Sequence, residues 1–325
     1  MRSIIIEKND AEQRLDKFMS KMFRTMPQSM LYKYIRLKCV RVNGAHVGPE
    51  TVLHIGDELR FYIRDEYFPD TQSSGIDYAG IHPDFGVVYE DTNILVIDKP
   101  VGLICQPDDK EVRNTLSNQL LAYLTQRGEY DAEKKQSFVP ALCNRIDKNT
   151  QGIVLAAKNA SALRILNEKI RHREISKYYQ CLVFGTMPQK QAMLTAYLKK
   201  DAKSNTVRVS TVCQDSSFRQ IRTAYEVLAT DGTFSLLRVQ LLTGRTHQIR
   251  AHMAFIGHPL VGDTKYGVNA RNRGLPFRYQ ALSSCEVVFD FGSDAGCLNY
   301  LKGKRFSVKP FFADYEIVKN LKPGC

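Results

Sequence analysis

Three observations predict an α+β fold in two parts. Segments with strand and helix character do not alternate strictly along the 325 residues, so the regular β-α-β pattern of doubly wound folds is missing. The length exceeds one average domain and suggests about two. Between residues 65 and 84 turn formers dominate, with Pro69, Gln72-Ser73-Ser74-Gly75 and Ala79-Gly80, and no apolar period survives; this marks a linker. Residues 1–64 then form a small module, and residues 85–325 a larger domain around a mixed, largely antiparallel sheet flanked by helices and loops.

In the small module, Asp10-Ala11-Glu12-Gln13 reads as a helix N-terminus with a capping box. Leu15, Phe18, Met19 and Met22 follow at helical spacing and make one apolar face. Pro27 can open a second helix, with Met30, Leu31, Tyr34 and Ile35 as its buried stripe. Val40-Arg41-Val42 is a short strand, Asn43-Gly44 is a strong hairpin signal, and Gly56-Asp57 turns the chain into a strand at Leu59–Ile63.

In the larger domain, Val87–Tyr89 and Ile94–Ile97 read as strands around the turn at Glu90–Asn93, and Asp98–Leu103 as a loop fixed by Pro100 and Gly102. Leu116, Leu120, Leu121 and Leu124 give a helical face, as do Leu163, Leu166 and Ile170. Ile153–Ala157 can only be a buried strand. Tyr179–Phe184, Arg222–Val227 and Ser235–Leu241 are further strand candidates, with several short ones toward the C-terminus.

Composition narrows the function. Lys and Arg number 46 against 34 Asp and Glu, a net charge of +12, which favours polyanionic partners, nucleic acid first. The eight cysteines form no C-x-x-C pair and read as buried thiols of a reducing compartment. The apolar run near Ile4 is too short for a signal peptide, and no stretch approaches the length of a membrane span. A cytoplasmic monomer without membrane contact is expected. No Gly-rich phosphate loop is present, and His247 and His252 stand five apart without the H-E-x-x-H carboxylate. Neither a nucleotide or other cofactor nor a metal is therefore expected.

Three segments carry chemistry. In Asn144-Arg145-Ile146-Asp147-Lys148-Asn149-Thr150-Gln151-Gly152 an acidic residue flanked by two cations sits on a turn ahead of the buried strand. A lone Asp in a turn is most often a cap or a surface charge. In Lys177-Tyr178-Tyr179, strand alternation puts Lys177 and Tyr179 on one face and Tyr178 on the other; such a Tyr can pack in a core or stack on a base. Gly244-Arg245-Thr246-His247-Gln248-Ile249-Arg250 is rich in donors and opens a helix in which Thr246 and Arg250 would share a face. Those donors suit an RNA backbone, a buried carboxylate or a basic helix start.

Two resemblances tie these segments together. Gln13–Phe18, Cys39–Gly44 and Ile55–Leu59 resemble the S4 RNA-binding domain, whose helical αL-type module would present Arg14, Lys33, Arg36, Lys38 and Arg41 to phosphates. Residues from about 85 to 315 resemble the RluA-type pseudouridine synthases. Asn144–Gly152 matches that family's H-R-L-D-x-x-T-x-G motif, Lys177–Tyr179 its K-x-Y motif, and Gly244–Arg250 its G-R-T-H-Q-I-R motif at every position. Tyr89–Asp91, Val96–Gly102 and Gly257–Gly267 also look like the family. The main departure is Asn144 in place of the usual His, which bears on the orientation of the Arg145 turn.

The resemblance implies a cofactor-free isomerase that converts uridine to pseudouridine within RNA. Asp147 would be the catalytic carboxylate, as nucleophile or as base. Arg250 would pair with it, Tyr179 would stack on the flipped uracil, and Arg145 would fill the gap in the RNA. Thr150, Lys177, Arg245, His247 and Gln248 would support the pocket or bind the substrate. An S4 domain ahead of the catalytic domain points to large-subunit (23S) ribosomal RNA. Transfer RNA as the target, or a non-catalytic RNA-binding assembly factor, are the alternatives.

Overall fold

The computed structural model describes residues 1–7, 9–23, 25–68, 78, 80–131, 138–201 and 206–323. Half of the expected linker, including Pro69, Gln72–Gly75 and Ala79, lies outside them. Its flanks are packed: Phe68 is buried in the N-terminal core, and Tyr78 and Ile81 pack with Leu121 and Ala122 of the following part.

The N-terminal part has its own four-stranded antiparallel sheet, in the order Arg2–Ile5, Glu58–Phe61, Val40–Val42, Ala45–His46. Helices Leu15–Met22 and Gln28–Arg36 bring Leu15, Phe18, Met19, Leu31 and Ile35 into one apolar cluster with Val40, Leu59 and Phe61. Asn43 and Gly44 both take positive φ, 51° and 79°, the tight hairpin conformation their sequence signals. The capping box is not formed. Gln13–Arg14 pairs instead with Val52–Leu53, and the first helix begins at Leu15 without a side-chain cap. Its first N–H groups have other partners: Leu15 N donates to Thr51 O at 2.8 Å and Asp16 N to Pro49 O at 3.0 Å. Carbonyls of the turn just ahead of Val52–Leu53 satisfy the donors that a cap would serve.

The larger sheet is mixed and mostly antiparallel. Its main path runs Thr206–Ser210, Gln191–Asp201, Arg219–Thr230, Phe234–Leu241, Ile175–Phe184, Leu282–Phe289, Gln151–Ala157, Ile94–Lys99, Gly86–Glu90. Among the sheet's described strands, only Gln151–Ala157 and Leu282–Phe289 pair in parallel. Helix Leu116–Gln126 covers one end through Leu116, Leu120 and Leu124, helix Ala160–Arg171 packs through Ala162 and Leu166, and helix Gln248–Phe255 packs Ile249 and Met253 on Tyr179, Cys181 and Val239.

Two long strands go beyond the sequence expectation. Leu282–Phe289 is buried throughout and central, yet it carries Ser283, Ser284 and Glu286. Each polar group has a partner: Ser283 donates to Gln151 Oε1, Ser284 to Ile153 O, and Glu286 accepts from Arg238. Gln191–Asp201 buries Ala196 and Leu198 on one side only, a weak apolar signal. The thiols also divide. Cys105, Cys181 and Cys285 are buried, Cys39 and Cys143 are half-buried, and Cys213 and Cys297 are exposed, against the expectation that all are interior.

The parallel pairing is unusually close at Gly152. Its φ is 124°, and a Cβ there would stand 2.2 Å from Ser284 O and 2.7 Å from Ser284 C. Both contacts are to backbone, so the two strands would have to separate. Gly152→Ala should therefore destabilise the fold by about 1–3 kcal/mol and disturb the turn five residues upstream. Urea unfolding of the parent and variant checks this; equal midpoints would show that the strands can move apart freely.

Candidate active site

A cavity of about 550 Å³ opens on the sheet face covered by helix Gln248–Phe255, and every candidate from the larger part lines it: Arg145, Asp147, Thr150, Lys177, Tyr179, Arg245, His247, Gln248 and Arg250. They come from three separated segments, brought together by the central strands.

Asp147 stands on a turn closed by Thr150 N donating to Asp147 O at 3.0 Å. Thr150 is buried and its Oγ1 accepts from Gln280 Nε2. Beneath the turn lies Lys99, fully buried at the end of strand Ile94–Lys99. Its Nζ donates to the carbonyls of Pro100, Leu103 and Lys148 at 2.7, 2.8 and 3.0 Å. Burial pulls the Lys99 ammonium down to about 8, against the pull of Cys105, Asp147 and Asp98. One cation thus ties the Pro100–Leu103 loop to the Asp147 turn. Asn144 has a defined use: its Oδ1 accepts from Leu155 N at 2.8 Å, which fixes the approach to the turn. Arg145 is exposed at the mouth, with Nη1 donating to Gln106 Oε1 at 3.2 Å.

Tyr179 lies 6% exposed in the central strand and lines the cavity wall. Burial pushes its phenol up to about 12, so it stays protonated at neutral pH and offers a ring rather than a base. Tyr178 takes the opposite face, with the Arg238 guanidinium 3.8 Å from its ring centre. Lys177 lines the cavity half-buried, and burial lowers its pKa.

The donor-rich segment differs in detail from its sequence reading. The helix begins at Gln248, so Thr246 precedes it and shares no helical face with Arg250. Gln248 is 2% exposed and holds the turn from within. Its Oε1 accepts from Thr243 Oγ1 and Arg245 N, and its Nε2 donates to Arg222 O and Thr223 Oγ1. Arg250 reaches Asp147 as expected, Nη1 to Oδ2 at 3.3 Å, but that is its minor contact. Its fork is committed to Asp263, Nε to Oδ2 at 2.7 Å and Nη2 to Oδ1 at 3.0 Å. Asp263 is fully buried and also accepts from Lys265 N and Tyr266 N. Burial works against the charge on each partner. Their mutual contact outweighs it, raising Arg250 above and holding Asp263 below the ordinary value. Sequence reasoning left Asp263 without a role, although it lies in the Gly257–Gly267 stretch; only its burial beside Arg250 identifies it.

The N-terminal cations are divided. Lys33, Arg36 and Lys38 line a second cavity of about 540 Å³ with Tyr32, Ile35 and His46. Arg14 and Arg41 do not line it: Arg14 forks onto Asp16 at 3.1 and 3.0 Å, and the Arg41 guanidinium lies 5.3 Å from the Tyr62 ring centre.

Comparison with known proteins gives the family. Residues 93–255 match the RNA pseudouridylate synthase family. A protein of Mycoplasma genitalium named as an RNA pseudouridine synthase is 34% identical over 88% of this chain and 88% of its own length. Ribosomal large subunit pseudouridine synthase C of Escherichia coli is 30% identical over 84% of this chain and 82% of its own. The solved structure of human RNA pseudouridylate synthase domain containing 4 covers 74% of this chain and 95% of its own, with a TM-score of 0.57 and 19% identity, a likeness of fold. The family match over residues 93–255 and the relatives' identity place the chain in a class of RNA-modifying isomerases. The chain belongs to the RNA pseudouridylate synthase family and is an RNA pseudouridine synthase.

Removing Asp263 leaves Arg250 buried with one long contact. Asp263→Ala should cost about 3–5 kcal/mol and lower turnover sharply, since Arg250 would be free to swing onto Asp147. Denaturant unfolding and a pseudouridine-formation assay check both; a variant as stable as the parent would mean that water solvates Arg250.

Proposed function

We propose that this enzyme isomerises uridines of large-subunit ribosomal RNA, with Asp147 as the residue that does the chemistry. The observation that carries the reading is the placement of Asp147 in a deep cavity between a buried Tyr179 and a fixed Arg250, below a rim of Arg145, Lys148, Lys177, Lys200 and Arg245. The rim suits a phosphate backbone, and the floor suits one extruded base. Tyr179 stacks on that base. Arg145, exposed and hydrogen-bonded among the described residues to Gln106, enters the duplex where the base left. Arg250 sets a cation beside the Asp147 carboxylate, Nη1 to Oδ2 at 3.3 Å.

The ribosomal target draws support from relatives in Escherichia coli and Buchnera aphidicola named as ribosomal large subunit enzymes, each 30% identical. The N-terminal part is read as a separate S4 RNA-binding domain over residues 1–64, ahead of a catalytic domain over 85–325. Its cavity of Lys33, Arg36 and Lys38 supports that reading; Arg14 and Arg41 are assigned supporting contacts at its edges.

Two measurements test the proposal. Asp147→Asn should keep the fold and RNA affinity while pseudouridine formation falls below detection; residual turnover would remove Asp147 from its role. Chemical mapping of pseudouridines in total RNA, with and without the gene, should show sites lost from large-subunit ribosomal RNA. Loss from transfer RNA instead would reassign the target.

A further inference from the structure

His247 occupies an unusual position. It sits at the N-cap of helix Gln248–Phe255 with φ of 53° and ψ of 21°, a left-handed conformation that few non-Gly residues adopt. That backbone carries the ring into the cavity wall, with the side chain 10% exposed and Nε2 3.9 Å from Asp147 Oδ2. At that distance no hydrogen bond forms, so Nε2 has no partner among the described residues.

The other side of the ring is fixed. Nδ1 lies 2.8 Å from the Tyr266 hydroxyl, and the two rings meet edge-on at 5.5 Å. The same hydroxyl accepts the N–H of Val207 at 2.9 Å. Its single proton then has one acceptor among the described residues, Nδ1 of His247. Nδ1 is thus the acceptor in the neutral ring, and the ring's own proton sits on Nε2, facing the cavity. Burial, the largest cause, lowers the His247 pKa, opposed by Asp147 and Asp263 and aided by Arg250 and Lys265. The ring is therefore neutral at pH 7. Tyr266 is itself held by its N–H to Asp263 Oδ1 and by the Arg250 guanidinium 5.3 Å from its ring centre.

An oriented donor beside the reacting carboxylate, with no protein acceptor, is placed to meet substrate. In the isomerisation the N1–C1′ bond breaks, C5–C1′ forms, and one proton passes overall from C5 to N1. While the base is detached, the electron pair of the broken bond stays on the uracil and spreads from N1 onto O2 and O4. We infer that His247 is a further catalytic residue, whose Nε2–H donates a hydrogen bond to a carbonyl oxygen of the detached uracil, with Tyr266 as the positioning residue that fixes its tautomer. The inference rests on the reading of Asp147 as the reacting group. A donor that strengthens as charge develops accelerates the chemical step more than it tightens binding.

The test is single-turnover pseudouridine formation at saturating RNA, alongside RNA affinity and melting temperature. His247→Asn tolerates the left-handed backbone but is too short to reach; it should slow the step by about 10- to 100-fold with RNA affinity changed less than about threefold. His247→Gln, with a longer amide donor, should recover part of the loss. Tyr266→Phe keeps the ring and removes the hydroxyl; it should slow the same step with affinity unchanged, and it carries the test if the His247 variants do not fold. A full rate in His247→Asn or Tyr266→Phe, a loss residing wholly in affinity, or a Gln variant no faster than Asn would each overturn the inference. Turnover in Asp147→Asn would instead overturn the reading beneath it, so the two failures are separable.

Discussion

The site depends on one guanidinium shared unequally between two carboxylates. Arg250 gives its fork to Asp263, buried and accepting two further backbone N–H groups, and offers a single 3.3 Å contact to Asp147. Taking this pair out of water is costly, and well-packed apolar residues could have stabilised the fold as well. What the pair provides is position. Arg250 cannot swing, because two bonds to a rigid acceptor hold its plane. Asp147 therefore meets a cation at a set place without being locked in a bidentate salt bridge. A carboxylate proposed to react has to remain free to move, and this division of contacts allows that.

The rest of the architecture serves the same turn. Lys99 ties it to the neighbouring loop through three carbonyls, Thr150 closes it, and Gly152 brings its strand so close to Ser284 that no side chain fits between. Each of these is a backbone constraint and leaves the Asp147 side chain free. Opposite, Tyr179 arrives on the most central antiparallel strand, where a register shift between Tyr178 and Gln180 interrupts the pairing with Leu282–Phe289. Such irregularities re-aim side chains beside sites. Rigid sheet on one side and fastened turn on the other set the cavity width before any substrate enters.

Much of this was legible in the sequence, for reasons that differ by residue. Asp147, Tyr179 and Arg250 could be placed together only by the resemblance of three motifs; spacing alone left each open to a bland reading, and the structure puts all three on one cavity. Helices whose apolar period was clear, at Leu116–Gln126 and Ala160–Arg171, matched their stripes. Failures occurred where tertiary contacts replaced a local rule. The capping box around Glu12 was pre-empted by turn carbonyls that took the helix N–H groups. Leu282–Phe289 hid as a central strand because its interior carries Ser and Glu whose partners lie over 100 residues away or on distant strands. Asp263 and Lys99 were invisible for the same reason: a buried charge is defined by what surrounds it, and no periodicity reports that.

The charge distribution of the cavity differs between its rim and its floor. The exposed rim, with Arg145, Lys148, Lys200 and Arg245, is cationic. On the floor the cation is already spoken for. Asp263 offsets Arg250, His247 is held below its ordinary value chiefly by burial, and the Tyr179 phenol is pushed up to about 12. The floor therefore sets the Asp147 carboxylate among neutral or neutralised groups. A phosphate drawn by the rim gains nothing by going deeper, since the carboxylate repels it. A neutral base loses little by leaving water for this floor and meets a stacking ring there. On the proposed mechanism, ranking ligand parts by depth in this way would leave the backbone at the surface and bring one base to the carboxylate, the order that base flipping requires.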